Sequence, residues 1–390
     1  MNVPAPKADE LTSLVDRADR ASVAGNLEQA SALLEIATQH DCADVETWLK
    51  FAAIRRGLKD ELGALDAVEG ALRIDPLNFI ALLLHATVLE KLDHPESDEY
   101  FGRALAQRPS GLLTPQMQKM LDHAAVRYAA WQKIVDGNLR EALDRLNLPP
   151  THESDRLGRF RTNIVRLTRP YHSEPSDYHY PGLPEVEFYD RDMFEWVDRL
   201  EAATNDIAIE FNQCVSAERN ELVPYVQYAD GQPVRQWATL NHSFDWSAIH
   251  LLRNGTPVAV NVQHCPKTMA LLASLPQPQI AGVSPNAMFS LLAPGAKIPP
   301  HTGVSNTRLI CHLPLIIPDG CWFRVGAQRR SWQHSVAWVF DDTIEHEAEN
   351  ESNELRVVLI FDVWQPALSA VERDGVSAIL TANEANCRVT

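Results

Sequence analysis

Apolar residues recur every three or four positions between about residue 10 and residue 145. The group Leu33, Leu34 and Ala37 is typical of this region. Such spacing places apolar side chains on one face of an α-helix, where a neighbouring helix can bury them. The pattern therefore predicts that residues 1–145 form a helical domain.

The helical segments also repeat along the chain. Stretches 37–41, 71–76 and 104–109 fall in step at intervals of 34 and 33 residues. Their alanines let two helices approach, and a proline closes each of the later two stretches. These features resemble the tetratricopeptide repeats, whose aromatic positions are filled here only in part, by Trp48 and Tyr100. The resemblance implies either a concave groove for a partner protein or peptide, or a packing cap or dimerisation surface.

Prolines and polar residues break the helical pattern between residues 146 and 186. This composition predicts a linker, or an arm that wraps around the domain that follows. His172 and His179 lie within it, and solvated loop histidines are the expected interpretation. The prolines are Pro149, Pro150, Pro170, Pro175, Pro181 and Pro184.

Beyond Gly282 the apolar period changes to two, which predicts short β-strands separated by turns. Evenly spaced short strands are typical of a closed or sandwiched barrel. We therefore predict a double-stranded β-helix, the cupin-like jelly roll, with flanking helices over residues 187–390, one of them spanning Met193–Cys214. The predicted strands are Met288–Leu292, Arg308–Ile317, Cys321–Val325, Ser335–Phe340, His346–Glu349 and Arg356–Trp364.

Composition narrows the range of partners. The formal net charge is -17 over 390 residues, and no block of basic residues interrupts this acidic balance. Nucleic acids and anionic membrane surfaces require a concentrated cationic face, so neither is expected as a partner. No apolar run approaches the roughly 20 residues that cross a bilayer. The six cysteines form no CxxC pair, which suits a reducing compartment, and we expect a soluble, cytoplasmic protein.

Two histidines within the block of predicted strands, together with an arginine at the start of one strand, suggest chemistry. His301 and His346 could supply imidazole ligands to a metal. Arg356 begins a nearly all-apolar strand, where a buried guanidinium requires an anion, and its planar fork suits a carboxylate. A carboxylate-bearing cosubstrate that also reaches the metal would satisfy both requirements. This combination predicts an oxygenase that uses Fe(II), 2-oxoglutarate and O2.

Strand parity and one glycine refine this site. Side chains alternate across a strand, so Arg308 and His312 share one face. A carboxylate ligand usually lies two residues after the first histidine of such a site, where this chain has Gly303. We therefore expect the two histidines alone to hold the iron. Asp342, four residues before His346, is interpreted as a contact to the substrate or to groups around the metal.

Other residues of the strand block are interpreted as structural. Cys311 precedes His312 directly and so points to the opposite face, where a small core residue is expected. Trp332, Trp338 and Trp364 are likewise expected to pack in the core. The candidate chemistry therefore rests on the histidines, the arginines and Asp342.

The histidine motifs carry a specific resemblance. The run HTGVSNTRL, which begins at His301, and the run VFDDTIEHE, which contains His346, closely resemble the aspartyl/asparaginyl beta-hydroxylase family. The resemblance covers about residues 181–366. That family carries glycine in place of the acid in its first motif, so Gly303 agrees with it. The resemblance implies an iron- and 2-oxoglutarate-dependent dioxygenase that hydroxylates the β-carbon of an aspartyl or asparaginyl residue, or of a related amino acid.

Carried over position by position, the resemblance implies a role for each residue around the cofactors. His301 and His346 would hold Fe(II). Ser290, His312 and Arg356 would bind 2-oxoglutarate, the cosubstrate.

At the substrate, the resemblance implies that Arg308 meets a carboxylate and Asp342 an amine or amide. Ile310 stands where animal relatives place a second arginine, which leaves the cosubstrate contacts less complete. Animal members act on epidermal-growth-factor-like domains in a secretory compartment, and that substrate is not carried over. We expect a small molecule, such as a free amino acid, or a residue of a peptide or protein.

Two other interpretations stay open. The barrel could be catalytically silent and the chain a tetratricopeptide scaffold, although intact His301, His346 and Arg356 argue against this. The family pattern also extends to hydroxylases of lipid A acyl chains. A membrane-facing apolar surface would then be expected, and this acidic sequence does not show one.

Overall fold

The chain folds as two compact units, Met1–Leu167 and Thr168–Thr390. The first is helical, and the second is built on two antiparallel β-sheets. The change of unit falls inside the stretch for which a linker was predicted, 146–186. The computed structural model describes residues 7–111, 113–149, 152–217, 221–232 and 234–387.

Short polar caps start the helices of the first unit. Asn26, Asp44, Asp60 and Asn78 each precede a helix and accept a hydrogen bond from a backbone N–H three residues on. Such caps satisfy N–H groups that have no partner within the helix. The helices are α1 (Lys7–Val23), α2 (Leu27–Thr38), α3 (Val45–Gly57), α4 (Glu61–Ile74), α5 (Phe79–Lys91), α6 (Ser97–Ala106), α7 (Pro115–Asp144) and α8 (His152–Ile164).

Small residues let these helices pack closely in consecutive pairs, α1 with α2, α3 with α4 and α5 with α6. Ala30, Ala64 and Ala67 are fully buried in the shared core. A Cβ added at Gly70 would lie 2.2 Å from the ring of Trp48, so α3 and α4 approach at a distance that glycine permits. The paired helices agree with the predicted tetratricopeptide-like repeats.

The stretch 146–186 combines a helix with an extended segment. Its proline content predicts no helix, yet α8 spans His152–Ile164. The helix fits because it follows Pro149 and Pro150 and contains no proline itself. Among the described residues, no helix is both long enough and apolar enough to span a membrane.

The second unit contains more strands than the sequence predicted. Strands over Trp246–Arg253, Lys297–His301 and Gln328–Ser331 were not predicted, and the predicted helix Met193–Cys214 is broken after Ala202. The strands are β1 (Phe188–Tyr189), β2 (Leu222–Pro224), β3 (Trp246–Arg253), β4 (Thr256–Pro257), β5 (Ala287–Leu292), β6 (Lys297–His301), β7 (Arg308–Ile316), β8 (Cys321–Val325), β9 (Gln328–Ser331), β10 (Trp338–Phe340), β11 (His346–Asn350) and β12 (Arg356–Trp364). The helices are α9 (Val197–Ala202), α10 (Thr204–Ser216), α11 (Ala259–Val262), α12 (Pro266–Leu272) and α13 (Ala370–Cys387).

These strands form two antiparallel sheets. The larger has the order β1-β10-β7-β12-β5-β3-β2, with β4 beside β3, and the smaller has the order β6-β11-β8-β9. One core lies between the larger sheet and helices α9, α10 and α12. A second core joins residues of both sheets, so the sheets pack against each other.

Strand alternation separates the two faces of the larger sheet. Leu309 and Cys311 of β7 point into the helix-covered core, whereas Ile310 and His312 face the smaller sheet. This confirms the predicted parity and the core position of Cys311. On β12, Arg356 faces the smaller sheet in the same way.

Candidate active site

His301 and His346 lie side by side on the smaller sheet. His301 is the last residue of β6 and His346 the first residue of β11, and the two are partners across the antiparallel pair. Their ring centroids are 4.0 Å apart. Partners in an antiparallel pair project from the same face, so strand pairing brings the two imidazoles together.

Each imidazole is oriented by a hydrogen bond from Nδ1. His301 donates to the carbonyl of Pro299 at 2.8 Å, and His346 donates to the carbonyl of Ile344 at 3.1 Å. A carbonyl only accepts, so the ring proton sits on Nδ1 and Nε2 keeps its lone pair. Burial lowers the pKa of His301 to about 3 and that of His346 to about 4. Both rings are therefore neutral at neutral pH, as metal-binding imidazoles must be.

Gly303 is explained by the position of Asp342. A Cβ added at Gly303 would lie 2.1 Å from Oδ2 of Asp342. The N–H of Gly303 also donates to the main-chain carbonyl of Asp342 at 2.6 Å. The carboxylate of Asp342 thus fills the space that a side chain at position 303 would need. Within the described ranges, no group of three or more His, Cys, Asp or Glu side chains is arranged to hold a metal ion.

Arg308 and Asp342 form a partly buried ion pair. Nη2 of Arg308 lies 3.4 Å from Oδ2 of Asp342. Burial opposes the charge of Arg308, but the carboxylates of Asp342 and Asp362 raise its pKa. Burial raises the pKa of Asp342, and Arg308 counteracts this rise. The other carboxylate oxygen, Oδ1, is buried and has no hydrogen-bond partner among the described residues, so it can still accept a bond from a ligand.

Arg356 is buried without a carboxylate partner in the described part of the chain. Its Nη1 donates to the main-chain oxygen and to Oγ of Ser290, both at 3.3 Å, and its Nε has no partner. The guanidinium lies over the ring of Trp332, 5.0 Å from the centroid. Burial lowers the pKa of Arg356 to about 10, so it remains a cation at neutral pH. A buried cation in this state calls for an anion from outside the chain.

His312 and Trp332 complete the surroundings of Arg356. Nδ1 of His312 is buried without a partner among the described residues, and burial holds the pKa of this ring well below its ordinary value. Trp332 is buried as predicted for a core residue, but it also lines the cavity. Sequence reasoning missed this role, because Trp332 follows β9 and Arg356 begins β12, and no local pattern brings these two parts of the chain together. Ser290 Oγ accepts a further bond, from Nε1 of Trp246 at 3.1 Å.

One cavity of about 640 Å³ brings all the predicted site residues together. Aromatic side chains wall it near the histidines: Tyr225 stacks on Trp246 with centroids 3.9 Å apart, and Trp237 lies 5.0 Å from His301. Tyr225 was not singled out from the sequence, where nothing but its aromatic character marks it. The predicted residues in the lining are Ser290, His301, Arg308, His312, Asp342, His346 and Arg356.

The model of the Aspartyl/Asparaginyl beta-hydroxylase family matches residues 201–366, which include every predicted site residue. Human aspartate beta-hydroxylase domain-containing protein 2 is 32% identical over 216 residues, which make up 54% of this chain and 56% of that protein. The chain thus spans little more than half the length of this relative. The ornithine lipid ester-linked acyl 2-hydroxylase of Rhizobium tropici is 30% identical over 225 residues, 57% of this chain and 74% of that protein.

A similarity to solved structures concerns the helical region. The TPR domain of Arabidopsis OM64 shares 20% identity and covers 32% of this chain and 98% of that domain, with a TM-score of 0.28. A TM-score this low carries no inference, and the support for the repeats is the consecutive pairing of the helices. The match over the site and the extent of the likeness to the Rhizobium protein show that the chain belongs to the aspartyl/asparaginyl beta-hydroxylase family.

Proposed function

We propose that this chain is an Fe(II)- and 2-oxoglutarate-dependent dioxygenase that hydroxylates an unactivated carbon. The preferred target is the β-carbon of an aspartyl or asparaginyl residue, or of a related amino acid. The observation that carries the proposal is the buried guanidinium of Arg356, which lines the same cavity as the two neutral imidazoles. A dicarboxylate that reaches the metal at one end and Arg356 at the other would satisfy both.

His301 and His346 would hold the iron through Nε2. The carbonyls of Pro299 and Ile344 keep both rings oriented for this. When bound, Fe(II) together with 2-oxoglutarate supplies the activation of O2 that places a hydroxyl on the substrate. The residues of the chain bind and orient the iron, the 2-oxoglutarate and the substrate, and they exclude water from the site. No side chain of the site has to act as a general base.

Arg356 would bind the far carboxylate of 2-oxoglutarate, with Ser290 and His312 beside it. Nε of Arg356 and Nδ1 of His312 are buried without partners among the described residues, and ligand oxygens or a bound water would satisfy them. Ser290 is itself held by the indole N–H of Trp246. Ile310 lines the cavity and offers no polar group, so Arg356 would supply most of the charge recognition.

Arg308 and Asp342 would bind the substrate. They place a cation and an acceptor in one part of the cavity, which suits the carboxylate and the amine or amide of an amino acid. Tyr225, Trp237 and Trp246 would keep water away from the reacting carbon. We further propose that the two sheets form the double-stranded β-helix predicted from the sequence.

An acyl chain is the second candidate substrate. Apolar side chains, Ile298, Val304 and Ile360 among them, line much of the cavity, and the Rhizobium relative is an acyl 2-hydroxylase. We favour an amino acid because Arg308 and Asp342 place a cation beside an acceptor, and an acyl chain by itself has no charged group for either to bind. A helical scaffold with a silent barrel is the alternative without catalysis.

Anaerobic titration with Fe(II) and 2-oxoglutarate tests the metal site. The wild type is expected to develop a metal-to-ligand charge-transfer band, and His346→Ala is expected to lose it. His334→Ala serves as the matched control, because His334 is exposed and lies outside the cavity lining. An equal band in the wild type and in His346→Ala would refute the iron assignment.

Succinate formation distinguishes the substrate classes. Purified protein with iron and 2-oxoglutarate is supplied with aspartyl or asparaginyl peptides, with free amino acids or with fatty-acyl amides. Turnover with either of the first two supports the favoured substrate, and turnover with acyl amides alone supports the second candidate. If the protein binds no iron and forms no succinate with any of these compounds, the helical scaffold with a silent barrel is the remaining interpretation.

A further inference from the structure

Residues 168–180 contain no helix and lie ahead of strand β1, and we name this segment the arm. It lies across two loops of the β unit. One, 302–307, follows His301 and leads into Arg308; the other, 341–345, leads into His346. Both loops therefore adjoin residues assigned to the metal and to the substrate.

The arm is bonded to loop 302–307 through its main chain. The N–H of Ser176 donates to the carbonyl of Gly303 at 2.9 Å, and the carbonyl of Val304 accepts two further N–H groups of the arm. Tyr180 and Asn306 exchange a pair of bonds: the N–H of Tyr180 donates to Oδ1 at 2.7 Å, and Nδ2 donates back to the carbonyl of Tyr180 at 2.9 Å. This loop is thus held along most of its length.

The arm is bonded to loop 341–345 through both main chain and side chain. The N–H of Glu174 donates to the carbonyl of Thr343 at 2.8 Å. The hydroxyls of Ser173 and Thr343 lie 2.7 Å apart. Since the Thr343 hydroxyl donates to the carboxylate of Asp341, it accepts from Ser173. A chain of two hydrogen bonds therefore runs from the arm to the buried Asp341.

Loops 302–307 and 341–345 must stay in close contact for the site to form. The carboxylate of Asp342 fits into the space left by Gly303, and Gly303 donates to the carbonyl of Asp342. A separation of the loops would open this contact and displace the ends of β6 and β11, where the histidines lie. The arm bridges both loops and so opposes that separation.

We propose that the arm is a positioning element of the metal site, and that Ser173 acts through Thr343 to hold loop 341–345 against loop 302–307. The identity of the metal site rests on the proposed function, whereas the bracing of the loops does not depend on it. The chain offers a matched control on the same arm. Ser176 is exposed, and its hydroxyl bonds only to the neighbouring Asp177 among the described residues.

Hydrogen exchange of the metal-free protein tests the bracing. In Ser173→Ala, amides of 341–345 are expected to exchange about two- to tenfold faster, as the loss of one hydrogen bond implies. Ser176→Ala is expected to match the wild type, and Ser173→Thr, which keeps a hydroxyl, is expected to restore most of the protection. Equal exchange in Ser173→Ala and Ser176→Ala would overturn the proposal.

Anaerobic titration with Fe(II) and 2-oxoglutarate tests the positioning of the ligands. Ser173→Ala is expected to require about two- to tenfold more iron for half of the charge-transfer band, with Ser173→Thr restoring the wild-type midpoint. Faster exchange with an unchanged midpoint would refute the positioning role. A wild type that gives no band would refute the proposed function instead, and the exchange experiment would still decide whether the arm braces the loops.

Discussion

The cavity contains two arginines with opposite surroundings. Arg308 has the carboxylate of Asp342 at 3.4 Å, and its pKa is raised by the neighbouring acids despite burial. Arg356 donates hydrogen bonds to two oxygens of Ser290 and lies over the face of Trp332, and burial lowers its pKa to about 10. The two lie near opposite ends of β12, since Arg356 begins this strand and Arg308 is the register partner of its last residue.

The difference between an unpaired and a paired arginine implies two ways of recognising a ligand. A buried cation without an anion destabilises the free protein, and a ligand that supplies the anion regains that free energy on binding. A cation that is already paired gains less from a ligand charge and selects mainly by geometry. Arg356 therefore suits a cosubstrate that must bind in every cycle, and the Arg308–Asp342 pair suits a substrate that is both positive and negative.

Replacement of Arg356 tests this comparison with the largest expected effect. In Arg356→Met, affinity for 2-oxoglutarate is expected to fall about a hundredfold, because the charge-assisted bonds to its far carboxylate are lost. The free energy of unfolding of the ligand-free protein is expected to stay level or to rise by about 1–3 kcal/mol, because an unpaired buried charge is removed. Anaerobic titration and urea denaturation measure the two quantities.

The control for this variant is Arg329→Met. Arg329 is exposed and stacks on Trp322 outside the cavity lining. It is expected to leave 2-oxoglutarate affinity unchanged. If Arg356→Met lowers the free energy of unfolding by 2 kcal/mol or more, the contacts of Arg356 with Ser290 and Trp332 already stabilise the ligand-free protein and the comparison fails.

Replacement of Arg308 is expected to have the opposite effect on stability. Arg308→Met leaves the buried Asp342 without its cation, so the free energy of unfolding should fall by about 1–3 kcal/mol. Affinity for 2-oxoglutarate should stay within about twofold of the wild type, while KM for an amino-acid substrate should rise about tenfold or more. Steady-state kinetics with each ligand varied in turn separates the two effects.

The pH dependence of Arg308→Met provides a further check. Burial raises the pKa of Asp342, and without Arg308 that pKa should rise more. A carboxyl whose folded pKa exceeds its unfolded pKa stabilises the protein at low pH, and this contribution is lost as pH rises through the folded pKa. The loss of stability is therefore expected to be larger at pH 8 than at pH 5. A loss that is equal at both values would mean that Asp342 does not depend on Arg308.

Strand periodicity alone predicted much of the arrangement that supports these residues. The alternation in β7 placed Arg308 and His312 on one face, because the pleat of a strand is set by local backbone geometry, and the structure shows that this face lines the cavity. Strand β6 was not predicted, although it carries His301. Its sequence holds Pro299 and Pro300, which usually argue against a strand, but β6 lies at the edge of the smaller sheet, where prolines are tolerated.

Contacts between distant segments could not be predicted in this way. The position of Trp332 beneath Arg356 and the bonds from Ser173 to Thr343 join parts of the chain whose approach no local period encodes. For Gly303 the sequence offered a family pattern, and the structure adds the packing reason, which is the carboxylate of Asp342. The family resemblance thus predicted that a glycine belongs there, but not what occupies the space.

Of the replacements at Arg356, Arg308 and Gly303, the one at Gly303 is expected to have the smallest effect. It tests whether the packing against Gly303 holds Asp342 in place beside Arg308. Gly303→Ala puts a Cβ within 2.1 Å of the Asp342 carboxylate, which must shift and so disturb its pairing with Arg308, and we expect a loss of about 1–2 kcal/mol in the free energy of unfolding. In an Asp342→Ala background the same Gly303→Ala change should cost less than about 0.5 kcal/mol, since the space is then open. A double-mutant cycle by urea denaturation gives the coupling between the two positions. If the coupling is absent, Asp342 can move without cost, and the ion pair with Arg308 is too loose to distinguish the two arginines.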